Sequence, residues 1–476
     1  MTSTNPLVLD VDGTLINNDL THELLLLGFC EKPWKAFSFA LLGLKSKNKL
    51  KEVLIALIGD KVTAENLPYN QSVVDFAVSE AGKGREVILC SGSHESIIKN
   101  IANNFDWISE GYGTTKEVNL TSANKANFLK DKYPGGFDYV GNSTQDYEVW
   151  KAADKAYAYE APKASASITT ATGNSVESLR DRKRSVKPAL KAMRLHQWAK
   201  NVLIFLVPVL AFDQLKPGDI LALLLGFFAM GLLASGTYIF NDAIDIQNDR
   251  QSASKKRRPL ASGHLSVPAG LALFVTCIVL AASLCLVLPP VFGTVLFVYF
   301  AITMLYSIVL KRLVIVDVMT LAFLFLIRVV AGAALVSAPL SPWLVSFILT
   351  FFLCLSLTKR YTELVKLEAK GAKSMGGRGY DTQDITLVLG FGMMATAMTI
   401  LSFILYGLVA EKPVLESDIS IFIVGFILVY WILRMWYLAH RGKLNDDPVL
   451  FAVKDKLSIG LGALIFITVV FEKIHF

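Results

Sequence analysis

Two sets of aspartates have spacings that suit chemistry. Asp10 and Asp12 flank a single residue in "LVLDVDGTLI", and Asp242, Asp245 and Asp249 fall at i, i+3 and i+7 in "NDAIDIQNDR". The first pair closes a short apolar strand, where open α/β sheets bind ligands. There Asp10 suits a nucleophile toward phosphorus and Asp12 the adjacent acid/base, with magnesium screening both from an anionic substrate. Calcium loops and plain turns use the same D-x-D-G pattern. In the second set, a continuing helix would align all three carboxylates on one face. Stacked like charges repel unless a cation lies between them, and a divalent metal is the usual remedy. A solvated helix end that marks the membrane surface is the other reading.

Other polar residues accompany each set. Near the front, "REVILCSGS" reads as a strand ending in Ser91, whose hydroxyl and following amides suit a phosphate. Lys125 opens a helix as a cation for phosphate and for Asp10, and a third strand runs into Asn142 with Asp146 four residues on. In the rear half, polar residues gather at the ends of apolar runs. They are Arg194, Trp198, Lys200 and Asn201; Asn241 with the aspartates; Lys255 and Arg258; Tyr306 and Lys311; Lys359, Arg360, Tyr361, Glu363, Arg378 and Tyr380. Asp317 and Arg328 lie inside one run, about 16 Å apart on one helix face. They are either functional or a structural ion pair. Together these groups set carboxylates beside cations, the chemistry of magnesium and a phosphate-rich substrate. Singly, each also reads as a topology or packing residue.

The elements that must position them follow from composition. The chain has 476 residues, 53% hydrophobic, and a mean hydropathy of +0.48, too apolar for a soluble protein. Residues 1–160 mix charge and apolar groups as a soluble domain does, and 161–185 form a polar, basic linker. Residues 186–476 carry nine expected spans, near 202–214, 219–240, 267–288, 291–310, 313–335, 342–358, 385–409, 418–438 and 457–473. Segments after the even-numbered spans hold 17 Lys and Arg; those after spans one, three, five and seven hold two, Lys216 and Lys412. That asymmetry makes the basic loops cytoplasmic. "MTSTNPLVLDVDG" lacks a secretory pattern, so the front domain is expected in the cytosol of a plasma-membrane protein. The net charge of +7 resides in these loops and in "RDRKRSVKPALKAMR", which suits anionic lipid and argues against nucleic acid. The five cysteines have no disulfide or zinc spacing. Oligomeric state stays open, a homo-oligomer included.

In order and type, the front motifs resemble those of the haloacid dehalogenase (HAD) superfamily. That resemblance implies a Rossmann-like α/β domain with a helical cap formed by the insert between the first two motifs. It makes Asp10 the phosphorylated nucleophile, Asp12 the acid/base, Ser91 and Lys125 phosphate ligands, and Asn142 and Asp146 metal-site residues. Many members have an acid where this chain has Asn142, so a retained fold with little phosphatase activity is also open. The insert's "LLLLGF" and "WKAFSFALLG" read as cap packing or as a bilayer-surface contact.

The rear half resembles the UbiA superfamily of intramembrane prenyltransferases, by N-D-x-x-D-x-x-x-D at 241–249, "RPLASG", "LYS" and "VDVMTLAFLFLIRVVAGA". It implies an all-α membrane fold with magnesium at Asp242, Asp245 and Asp249. Members with aromatic acceptors carry a second acidic motif after span six. This chain has "TKRYTEL" and "RGY" there, which, with "RLHQWAKN", is similar to decaprenyl-phosphate phosphoribosyltransferases. The expected substrates are then phosphoribosyl pyrophosphate (PRPP) and a polyprenyl phosphate. A prenyltransferase with an aromatic acceptor is the alternative. A transporter would need related halves and midplane charges, which this chain lacks.

Overall fold

A computed structural model describes residues 5–475 apart from 33–34, 60–61, 162–175, 181–184, 212–214, 253, 372–377, 410–416 and 445–446. Lys412 and part of the basic stretch 180–194 lie outside the described residues. The chain divides into two compact units, Met1–Ala192 with Ile239–Leu273, and Met193–Tyr238 with Phe274–Phe476.

The first unit is built on β1 (Leu7–Leu9), β2 (Val87–His94), β3 (Glu110–Thr114), β4 (Asp138–Gly141), β5 (Lys155–Tyr159) and β6 (Val176–Arg180). All pairings are parallel, in the order β3-β2-β1-β4-β5-β6. Alternation sends Leu7 and Leu9 into one core and Val8 into the other, so both faces are covered, as parallel sheets require. Chain order reverses between β1 and β4, and the crevice at their carboxyl ends is where such sheets bind ligands. β6 lies within the segment expected to be linker, so part of that segment is sheet edge.

Between β1 and β2 come α1 (Leu20–Glu31), α2 (Ala36–Lys45), α3 (Lys47–Ile58) and α4 (Gln71–Gly82). Leu24, Leu27 and Phe39 pack with Leu50 and Leu54 in the same core as β1, so these apolar residues of the insert serve packing rather than a bilayer contact. The domain continues with α5 (Glu95–Asn103), α6 (Ser122–Lys132), α7 (Tyr147–Ala152) and α8 (Lys187–Met193).

The remaining helices are α9 (Leu206–Leu210), α10 (Pro217–Ile244), α11 (Ile246–Gln251), α12 (Val267–Cys285), α13 (Pro290–Ile308), α14 (Val316–Val336), α15 (Pro342–Glu368), α16 (Ile385–Val409), α17 (Asp418–His440), α18 (Pro448–Lys454) and α19 (Lys456–His475). Among the described residues seven helices are long and apolar enough to cross a membrane: α10 and α12 to α17. Seven of the nine expected spans, the second to the eighth, coincide with these helices. The first is a 3₁₀ segment, Leu195–Phe205, running into the five-residue α9, too short to cross. The ninth is the 20-residue α19, which falls outside the seven.

α14 is the most enclosed of the seven. The 3₁₀ segment packs on it at Gly332, where an added Cβ would come within 1.9 Å of the Ile204 carbonyl oxygen. Trp198 similarly rests on Gly231 of α10 and donates its indole N–H to Ser235 Oγ at 2.9 Å.

Candidate active sites

In the sheet domain, Asp10 directly follows β1 and Lys125 stands in the first turn of α6. Lys125 Nζ donates to Asp10 Oδ1 at 2.7 Å and to the Tyr139 hydroxyl at 2.9 Å, and Tyr139 donates to Asp146 Oδ1 at 2.7 Å. Asp146 Oδ2 accepts the N–H groups of Asn142 and Ser143, each at 3.0 Å. Asp12 accepts from Leu20 N at 2.8 Å, Ser91 Oγ at 2.9 Å and Ser93 Oγ at 2.7 Å. Ser91, expected on phosphate, thus orients Asp12 in this arrangement. Tyr139 and Ser93 join the site without having been picked out by sequence; Ser93 lies two residues from Ser91, and Tyr139 three from Asn142.

Burial sets the protonation chemistry here. It pushes Asp10 up to about 7 against the pull of Lys125, with Asp146 and Asp12 adding to the rise. Burial, reinforced by Asp19, also raises Asp12 above the ordinary carboxylate range, so it can hold a proton for a leaving group. Burial works against the charge on Lys125, yet Asp10 and Asp146 hold its pKa above that of a free lysine.

The "NDAIDIQNDR" stretch does not continue as one helix. It breaks at Asp245, which caps α11. Asp242 and Asp249 nevertheless meet, because Arg258 Nη1 bridges them at 3.0 and 2.7 Å. Asp245 accepts from Asn241 Nδ2 at 3.1 Å. Burial pushes Asp249 up to about 6, with Asp242 adding and Arg258 opposing. Lys255 is exposed in a short 3₁₀ turn.

Among the described residues no three acidic, histidine or cysteine side chains converge as a ready metal cage. Each site still fits magnesium, which usually takes one or two carboxylates and completes its shell with water and substrate phosphate. Asp10 and Asp146 share one ammonium, Lys125, and Asp12 lies within electrostatic reach of Asp10. Asn142 stands at the same turn: a Cβ added at Gly13 would meet its Nδ2 at 2.1 Å and its Oδ1 at 3.5 Å. At the other site, Asp242 and Asp249 are each 2% exposed and supply only oxygen donors, with Arg258 marking where positive charge is favoured.

In the second unit the expected cytoplasmic residues form three networks. Asp317, wholly buried, accepts from Arg360 Nη2 at 2.5 Å and from the Tyr380 hydroxyl at 2.6 Å. Arg360 also pairs with Glu363, which accepts from Arg378 at 3.2 Å, and Tyr306 lies beside them. The possible Asp317–Arg328 pair does not form. Arg328 instead donates to Asn201 Oδ1 at 3.1 Å, Leu324 O at 2.6 Å and the Tyr299 hydroxyl at 2.7 Å. In the third network Lys200 pairs with Asp447, and Lys359 lies within electrostatic reach of that same carboxylate. Asp447 has no local motif; it is 247 residues from Lys200 in sequence.

Arg194 stacks over Tyr238, 5.4 Å from the ring centre, and Lys311 is buried in a 3₁₀ turn. Tyr361 meets His440 Nδ1 at 3.0 Å and packs edge-on against Trp436, so it sits in a helix core. Because Arg360 is 0% exposed, Arg360→Ala leaves Asp317 buried without its cation. We expect a loss of about 3–5 kcal/mol of stability, read as a fall in Tm in detergent, whereas Lys359→Ala, half-buried, leaves Tm near wild type.

Residues 202–459 match the UbiA prenyltransferase family, more than half of the chain. The chain belongs to the UbiA prenyltransferase family. It is therefore a transferase of that family and an integral membrane protein, in keeping with its long apolar helices. An uncharacterized protein of Sinorhizobium fredii, y4nM, is 34% identical over 97% of this chain and 89% of its own length. The decaprenyl-phosphate phosphoribosyltransferase of Mycobacterium tuberculosis is 33% identical over 39% of this chain and 63% of its own length. Among solved structures, a UbiA homolog from Archaeoglobus fulgidus bound to GPP and Mg2+ aligns with 60% of this chain and 99% of its own, at 16% identity and a TM-score of 0.47.

Proposed function

We propose that the membrane half transfers 5-phosphoribose from PRPP to a polyprenyl phosphate of the decaprenyl type, and that the sheet domain, as a HAD-type phosphatase, then removes the 5-phosphate. The product would be a ribosyl lipid for envelope polysaccharide, made at the cytoplasmic face. Similarity to proteins named decaprenyl-phosphate phosphoribosyltransferase supports the donor and acceptor. The observation that carries the reading is the cation balance near the end of span six. Four cations, Lys200, Lys359, Arg360 and Arg378, stand against three carboxylates, Asp447, Glu363 and Asp317, a balance that suits a phosphate rather than a second acidic metal site.

In the transfer, an oxygen of the lipid phosphate attacks ribose C1. The C1–O bond to pyrophosphate breaks, and pyrophosphate leaves with the bonding pair. Asp242, Asp245 and Asp249 would hold magnesium, which neutralises pyrophosphate charge when bound. Lys200 and Lys359 of the second unit are cations suited to a phosphate, and charge neutralisation with positioning would supply most of the rate.

In the second step, Asp10 attacks phosphorus while Lys125 and Ser91, near the end of β2, would bind the phosphoryl oxygens. Asp10, Asn142 and Asp146 would hold a second magnesium, which screens the acids from the anionic ester. The ester P–O bond breaks, and the leaving oxygen takes the proton from Asp12. Water, giving its proton back to Asp12, then attacks the aspartyl phosphate and frees inorganic phosphate.

The donor is tested by offering purified protein and magnesium two mixtures: PRPP with polyprenyl phosphate, and a prenyl diphosphate with an aromatic acid. Labelled ribosyl lipid from the first alone is the expected result. Product from the second alone would establish the aromatic prenyltransferase reading instead.

A further inference from the structure

The cleft that holds Asp10, Asp12 and Lys125 measures about 1280 Å³, far more than a phosphoryl group fills. Gly263, His264, Ser266, Val267 and Pro268 line it as well, although they follow the aspartate-rich stretch rather than belonging to the sheet domain's own sequence. Three contacts fix this loop in place. Gly263, at φ +73°, lies so close to Asn17 that an added Cβ would come 2.3 Å from the Asn17 Cβ. Asn18 Nδ2 donates to the Leu260 carbonyl at 3.3 Å. Arg250 donates to the Ala261 carbonyl at 3.0 Å and grips both carboxylate oxygens of Glu23, at 2.9 and 2.5 Å.

Glu23 stands in the first turns of α1 and is 1% exposed; it also accepts from Asn18 at 2.8 Å and Gln247 at 3.3 Å. A two-pronged charge pair so fully desolvated, with further donors on the carboxylate, is a fixed clamp rather than a passing surface contact. Leu265 is buried beneath the loop, while His264 and Ser266 remain exposed to the cleft. Val267 and Pro268 begin α12, a 19-residue helix long and apolar enough to cross a membrane, so the rim of the cleft is continuous in sequence with that span.

Building on the phosphatase reading above, we propose that the loop 259–268 is the substrate-selecting wall of that site. The site takes phosphomonoesters whose hydroxylated headgroup is carried on a membrane lipid, and His264 and Ser266 are its specificity residues. A headgroup tethered at the bilayer surface reaches Asp10 past this wall. A small soluble ester reaches Asp10 without touching it.

The test uses full-length protein and three probes: 5-phosphoribosyl polyprenyl phosphate in mixed micelles, free ribose 5-phosphate, and p-nitrophenyl phosphate. The double variant His264→Ala, Ser266→Ala is expected to raise KM for the lipid ester about tenfold, the worth of two hydrogen bonds. Its kcat for that ester should hold within about twofold, and both constants for p-nitrophenyl phosphate should match wild type. Glu23→Gln, which loosens the clamp, should shift KM in the same direction. An equal effect on lipid and small esters, or a wild-type preference for free ribose 5-phosphate, overturns the wall while Asp10-dependent hydrolysis keeps the phosphatase reading. If Asp10→Asn hydrolyses every probe as wild type does, both fall together.

Discussion

Asp242→Asn is expected to cut phosphoribosyl transfer by about a hundredfold or more, with phosphatase activity on a ready-made 5-phosphoribosyl lipid unchanged. Asp242 is 2% exposed and shares Arg258 with Asp249. A neutral amide there keeps the volume but removes one of the two charges that Arg258 bridges. The guanidinium then turns wholly to Asp249, and the oxygen set left for magnesium loses both charge and placement. Steady-state labelling of lipid by PRPP measures the first effect, and phosphate release measures the second. Transfer at the wild-type rate would leave Asp242 as a marker of the membrane surface, the other reading of its spacing.

The reverse pattern is expected for Asp10→Asn. Phosphate release should fall on the order of a thousandfold or more, while transfer proceeds and the phosphorylated ribosyl lipid accumulates. Lys125 would lose its 2.7 Å partner, and an amide oxygen cannot form the aspartyl phosphate. Chromatography of the labelled lipid reads both effects at once, since the 5-phosphate changes its mobility. Release that persists in this variant would mean that the sheet domain does not hydrolyse phosphate through Asp10.

What the sequence made legible follows chain distance. Asp10 and Asp12 could be placed because a strand, a turn and a glycine fix them within a few residues. Lys125 could be placed because it opens a helix. Asp242 and Asp249 were brought together as the spacing suggested, though by Arg258 and across a break rather than along one helix. The pairs that organise the interior span long stretches of chain: Asp317 with Arg360, Lys200 with Asp447, Glu23 with Arg250. No periodicity encodes such pairings, since each depends on which helices become neighbours. Hence Asp317 and Arg328, aligned on one helix and open to an ion pair by spacing, find separate partners in the fold. The first expected span failed for a related reason. Hydropathy sees the apolar residues of 202–214 but not the 3₁₀ geometry that seats Ile204 against Gly332.

A doubly labelled donor tests most directly whether one chain carries out the two consecutive reactions. PRPP carrying one label in the ribose carbons and another in the 5-phosphate is given to the wild-type protein with polyprenyl phosphate and magnesium. The account predicts lipid that holds the carbon label alone, with the phosphorus label recovered as inorganic phosphate. With Asp10→Asn, both labels should stay on the lipid in equal amounts. Lipid free of carbon label under these conditions, while a prenyl diphosphate alkylates an aromatic acid, would contradict it.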